Sequence, residues 1–88
     1  MCTAISETTS IKGAGKGPRG WFPITQATVA YDHASHAAAE HALLLDFANY
    51  DLGTDARVAL EMDLASGKAL VAQLCTMIEA AEASGLAE

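Results

Sequence analysis

Residues 26–48 read Gln-Ala-Thr-Val-Ala-Tyr-Asp-His-Ala-Ser-His-Ala-Ala-Ala-Glu-His-Ala-Leu-Leu-Leu-Asp-Phe-Ala. In the first part Ala27, Val29 and Tyr31 share one parity, and Gln26, Thr28 and Ala30 share the other. In the last part Leu43, Leu45 and Phe47 fall on one parity. A period of two is the mark of a strand with one buried face. Propensity alone offers a helix over 34–45, because alanine, glutamate and leucine all favour it. Two features favour strands instead: the alternation ending in Leu45-Asp46-Phe47, and the shortage of polar residues for a solvated helical face. Strands over 24–33 and 40–48 follow. Centring their hairpin on Ala37 sets His33 opposite His41, Tyr31 opposite Leu43 and Val29 opposite Leu45.

Working outward, Cys2–Lys12 carries Ile5 and Ile11 on one parity and reads as a strand over 2–12. The segment Gly13-Ala14-Gly15-Lys16-Gly17-Pro18-Arg19-Gly20 reads as a turn or loop. Asn49–Asp55 holds Asn, Gly and two Asp, all turn formers. Val58, Leu60 and Met62 then alternate in a fourth strand over 56–62. From Leu64 the period changes: Leu64, Val71, Leu74, Cys75, Ile78 and Ala81 fall near one helical face. Asp63 or Ser66 can cap this helix and Gly85 can end it, which gives a helix over 64–84. A helix of that length spans about 30 Å and an eight-residue strand about 27 Å, so one can lie along the other. The expected fold is α+β: a single domain over 1–88, a four-stranded antiparallel β-meander followed by one C-terminal helix packed on one sheet face.

The chain has 88 residues, 51% of them hydrophobic and 18% charged, with a net charge of -6. That composition suits a folded domain with a thin core. The acidic balance argues against a nucleic-acid duplex or an anionic membrane surface, since both need clustered cations. No stretch reaches the ~20 apolar residues of a membrane span, and the start lacks the basic-then-apolar pattern of a signal peptide. Cys2 and Cys75 are the only cysteines. They read as free thiols of a reducing, cytoplasmic protein, with a Cys2–Cys75 disulfide as the alternative. Cys75 reads as a small buried hydrophobe. Trp21-Phe22-Pro23 reads as a plug at the end of the core, or as an oligomer contact. Lys12, Lys16 and Arg19 crowd the glycine-rich segment, but Gly-Lys-Gly-Pro lacks the Ser or Thr that a phosphate loop needs after its lysine.

All three histidines, His33, His36 and His41, fall within nine residues, flanked by Asp32 and Glu40. Opposed antiparallel residues have Cβ atoms about 5 Å apart. The hairpin register therefore brings His33 and His41 together on the helix side, with His36 in the loop above them. Converging imidazoles bind zinc, nickel, copper and iron, zinc being the first choice here. Centring the first hairpin on Gly17 sets Cys2 beside Asp32 and makes its thiolate a further donor. The metal set expected is His33, His36, His41, Cys2 and Glu40. Were the site catalytic, Glu40 or Asp32 would serve as base beside a metal-activated water. Two other readings stand beside this one: a metal-free pocket for a small-molecule ligand, and histidines that are only structural or solvated.

The face away from the helix carries Ala4, Thr28, Ala30, Ala42, Leu44 and Ala59, with Asp46, Arg57 and Glu61 toward its rim. Such a flat surface lets a second sheet approach, so a homo-oligomer is expected, most simply a dimer. It also supports the reading of a structural partner subunit.

Met1-Cys2-Thr3, Gly15-Lys16-Gly17-Pro18 with Gly20-Trp21-Phe22, and Tyr31-Asp32-His33 with His36-Ala37 and Glu40-His41-Ala42-Leu43 together resemble a family of small actinobacterial proteins of unknown function. The resemblance covers nearly the whole chain. In that family a proline often follows the first histidine and another precedes the Glu-His pair, at the places of Ala34 and Ala38. Prolines there disfavour helix, so the resemblance implies a loop over 34–39. It implies no activity.

Overall fold

In the computed structural model, which describes residues 5–38, 40–86 and 88, the chain runs β1 (Ile5–Gly17), β2 (Gly20–His33), β3 (His41–Ala48), a 3-10 turn (Tyr50–Leu52), β4 (Arg57–Met62) and α1 (Leu64–Ala83). The strands form one open antiparallel sheet in the order β1-β2-β3-β4. The class is α+β, as the two periods of the sequence require.

The second hairpin has the register that alternation dictates: His33 opposes His41, Tyr31 opposes Leu43 and Val29 opposes Leu45. The first does not. Ile5 opposes Tyr31, two residues out from a hairpin centred on Gly17. The strands continue through the glycine-rich segment to a tight turn at Pro18-Arg19, and Gly17 pairs with Gly20. Pro18 supplies the fixed φ of a turn, and Gly20 takes φ +111°, where a side chain would be strained. The register also shifts between Ser10 and Gly13, where β1 carries one extra residue.

The glycines of β1 are there for space. A Cβ on Gly15 would lie 3.0 Å from Ile24 Cδ1 and 3.3 Å from Val58 Cγ2. Val58 belongs to β4, so the two edge strands approach each other at this end of a curled sheet. Ile24, Ala27 and Ala48 are buried there. Asn49 is buried too, and all its polar groups are used. Its amide donates to the Pro23 carbonyl (3.1 Å), its side-chain oxygen accepts from the Asp51 N–H (3.2 Å), and its backbone N–H reaches the Ala56 carbonyl (2.9 Å).

The start of α1 is capped as expected: the Asp63 carboxylate accepts from the Ser66 N–H at 2.8 Å. Gly67 is the buried residue of the helix, and a Cβ on it would overlap Leu43 Cδ1. The glycine thus costs some helix propensity but lets α1 approach β3 closely. Leu70 is half-buried, and every described residue from Val71 onward is exposed. The helix therefore docks on β3 through its first two turns and leaves the rest of its apolar stripe in solvent. Two side-chain expectations change accordingly. Cys75 is an exposed free thiol, because its part of the helix covers no sheet. Trp21 is 70% exposed, because it stands on the projecting ribbon of β1 and β2, while Phe22 is half-buried. Among the described residues no helix is long and apolar enough to cross a membrane.

Candidate metal centre

His33 ends β2 and His41 begins β3, so the last rung of their ladder is a histidine pair. Their ring centroids are 4.4 Å apart with the planes tilted by 32°. Tyr31, one pleat further in on β2, stacks against His41 with centroids 5.8 Å apart. The three rings form a row, with the half-buried His41 between Tyr31 and His33. The intervening loop closes with the Ala34 N–H donating to the Glu40 carbonyl at 3.1 Å, which extends the pairing and brings Glu40 beside the histidines.

His33, Glu40 and His41 each offer one donor atom, and these atoms lie within 4.8 Å of one another. Zinc–nitrogen and zinc–oxygen bonds of about 2.1 Å on a tetrahedron place donors roughly 3.4 Å apart. The donors would have to close that difference to hold an ion, and two of the three side chains, His33 and Glu40, are exposed.

His36 is not part of the group. Its side chain is 91% exposed, and its Nδ1 lies 3.9 Å from a Glu61 oxygen. By register Glu61 opposes Leu44, on the other parity from Leu43 and His41, so the loop folds toward the sheet face away from α1. Cys2 lies outside the described residues. Asp32 is turned to local backbone, its carboxylate accepting from the His33 N–H at 2.7 Å. The loop needs an anchor to fold this way, and sequence reading gave none. Glu61 supplies it by accepting from three successive backbone N–H groups: Ser35 at 3.1 Å, His36 at 2.7 Å and Ala37 at 2.8 Å. A lone glutamate in β4 gives no sequence signal of this; read by parity, it is one more rim charge. The bonds from Ala37, His36 and Ser35 hold its carboxyl below the usual glutamate range.

A groove of about 510 Å³ opens at the opposite end of the sheet, beside Trp21, Phe22, Leu52 and Asp55. It contains no histidine and no cluster of donors. The candidate donor group is at the His33 end.

A family model described as a family of unknown function, DUF6295, matches residues 1–87. The chain belongs to DUF6295. No curated protein and no solved structure matches it. The function of this DUF6295 domain therefore has to be argued from its own side chains.

The Glu61 clamp makes a first prediction. Glu61→Ala frees three backbone donors, and Glu61→Gln keeps at most two of the three bonds. Groups that position ligands commonly change metal affinity by about 10–100-fold, and a similar loss is expected here. The carboxyl has a lowered folded-state value, so its stabilisation is complete above about pH 4.3 and is lost as pH falls through that lower value. Acid unfolding followed by circular dichroism should show the parent's advantage over Glu61→Gln shrinking below about pH 4. A pH-independent gap would mean that the carboxylate does not hold the loop.

Proposed function

We propose that this chain binds a divalent transition metal through His33, Glu40 and His41, with zinc the best-matched ion. The observation that carries this reading is the approach of three metal-type donor atoms to within 4.8 Å at the end of a hairpin whose register needs no adjustment. Two imidazoles and one carboxylate make the donor set of many catalytic zinc sites, where a fourth position stays open. Nickel, copper and iron bind the same donors and are the competing ions. The Cys2 thiolate is the proposed source of a fourth ligand. Without it, the open position takes water or a small-molecule ligand. The exposure of His33 and Glu40 favours an ion that meets solvent over one sealed in for stability. A free thiol at Cys75 suits a reducing compartment, and we place the protein in the cytoplasm on that ground.

Untagged protein should be purified, analysed for metals, stripped and titrated with zinc by calorimetry. About one equivalent per chain is expected, with protons released as imidazoles lose them to the metal. Metal-free protein that takes up none of the four ions at micromolar concentration would end this reading. Replacing Cys2 by Ser separates a three-donor from a four-donor site.

A further inference from the structure

The accessible surface is 6791 Å² for a mass of 9.1 kDa. A compact monomer of that mass exposes about 4,900 Å², so the chain carries roughly 1,900 Å² in excess. The radius of gyration, 14.8 Å, likewise exceeds the about 12 Å of a compact chain of this length. Among the described residues no large side chain is fully buried. Exposed large apolar side chains are spread over the molecule, Trp21, Leu52 and Leu86 among them, and two groups of them form faces. One is the helix-side face of the sheet, where Val29 and Leu60 are 45% and 44% exposed. The other is the far part of α1, where Val71, Leu74, Met77 and Ile78 are all between 54% and 60% exposed. At 100° per residue, Val71, Leu74 and Ile78 continue the stripe that begins at the buried Gly67.

We infer that a second copy of this chain covers both surfaces, with the far half of each α1 lying on the helix-side sheet face of the other. Three observations select a second copy. Each protomer offers an uncovered helix stripe and an uncovered sheet face, the two halves of one self-complementary contact, as a two-fold interface requires. The excess area, to which these two faces contribute, leaves room for the ~800 Å² per partner of a standard stable interface. The exposed residues named above are all apolar, with Glu7 opposite Val29 as a charge at the edge of the same face, and an apolar layer so incompletely covered within the protomer gains by acquiring a cover. The alanine-rich face is a poorer candidate than its composition suggests. The 34–40 loop folds toward it and Ala42 is fully buried, while the Arg57–Asp46 ion pair, at 2.9 Å, occupies its rim. This assembly does not depend on the metal.

Sedimentation of the parent at micromolar concentration should give twice 9.1 kDa, and its thermal midpoint should rise with concentration, as it must when folding and association are coupled. Leu74→Glu with Ile78→Glu should weaken association by roughly a hundredfold or more. The milder Leu74→Ser guards against unfolding of the double variant and should shift the same equilibrium in the same direction. A strict monomer, a midpoint independent of concentration over a hundredfold range, or a Leu74→Glu, Ile78→Glu variant that stays as dimeric as the parent would overturn the proposal. So would dissociation by Ala30→Lys alone, which would move the interface to the alanine-rich face.

Discussion

A chain carrying His33→Ala and His41→Ala is expected to bind zinc at least ~100-fold more weakly than the parent, because two of the three proposed donors disappear and a lone exposed carboxylate holds zinc poorly. The fold should survive. His33 is exposed, His41 is half-buried, and the lost ring contacts are worth about 0.5–1.5 kcal/mol each. His36→Ala is the internal control. With its side chain 91% exposed and its nearest acidic partner Glu61, it should leave affinity within about threefold. Parent affinity should also fall on acidification, because protons compete with the metal for its ligands. Calorimetric titration of the parent, the double variant and His36→Ala decides the matter. Equal affinity in parent and double variant would mean that the histidines are structural.

The largest loss of stability is expected from Asn49→Ala. The variant deprives the Pro23 carbonyl of its amide donor and removes the cap on the Asp51 N–H. A lost hydrogen bond costs about 0.5–1.5 kcal/mol and a lost cap about 1 kcal/mol. Together these should lower stability by about 1.5–2.5 kcal/mol, a large share of what a small domain has. Thermal midpoints at one fixed protein concentration should fall by roughly 6–20 °C. Asn49→Asp keeps the acceptor but loses the donor and brings a charge into a buried site, so it should not rescue the loss. A drop of under about 1 kcal/mol would show that the strand ends are held elsewhere.

The second hairpin and the helix were legible because each rests on one strong period. Val29, Tyr31, Leu43 and Leu45 fix a register in which a one-residue slip would turn every apolar side chain to the wrong face. Asp63 marks the start of the helix through capping chemistry. The glycine-rich segment was misread because glycine signals a turn by its freedom. In Gly15 the same lack of a side chain serves an extended strand passing close to Ile24 and Val58. Cys75 and Trp21 were misread for one shared reason: an apolar residue was assigned to a core that this protomer does not build around it. Within the candidate donor group, the approach of His33 and His41 follows from pairing and that of Glu40 from adjacency. His36 was misplaced because its position depends on Glu61, 25 residues away, and no periodicity encodes that bond.

The pairing of His33 with His41 across two strands also separates the centre from the length of the loop between them. Adding or deleting a residue among 34–38 disturbs the Glu61 clamp and the approach of Glu40, but is expected to leave the two imidazoles on the same rung. One inserted residue within β2 or β3, between His33 or His41 and the core, sends a histidine to the opposite side of the pleat. Indels in the arch thus spare the histidine pair of the proposed centre, and indels in the strands break it. A histidine pair of this kind is recognised by strand parity, not by a fixed number of intervening residues.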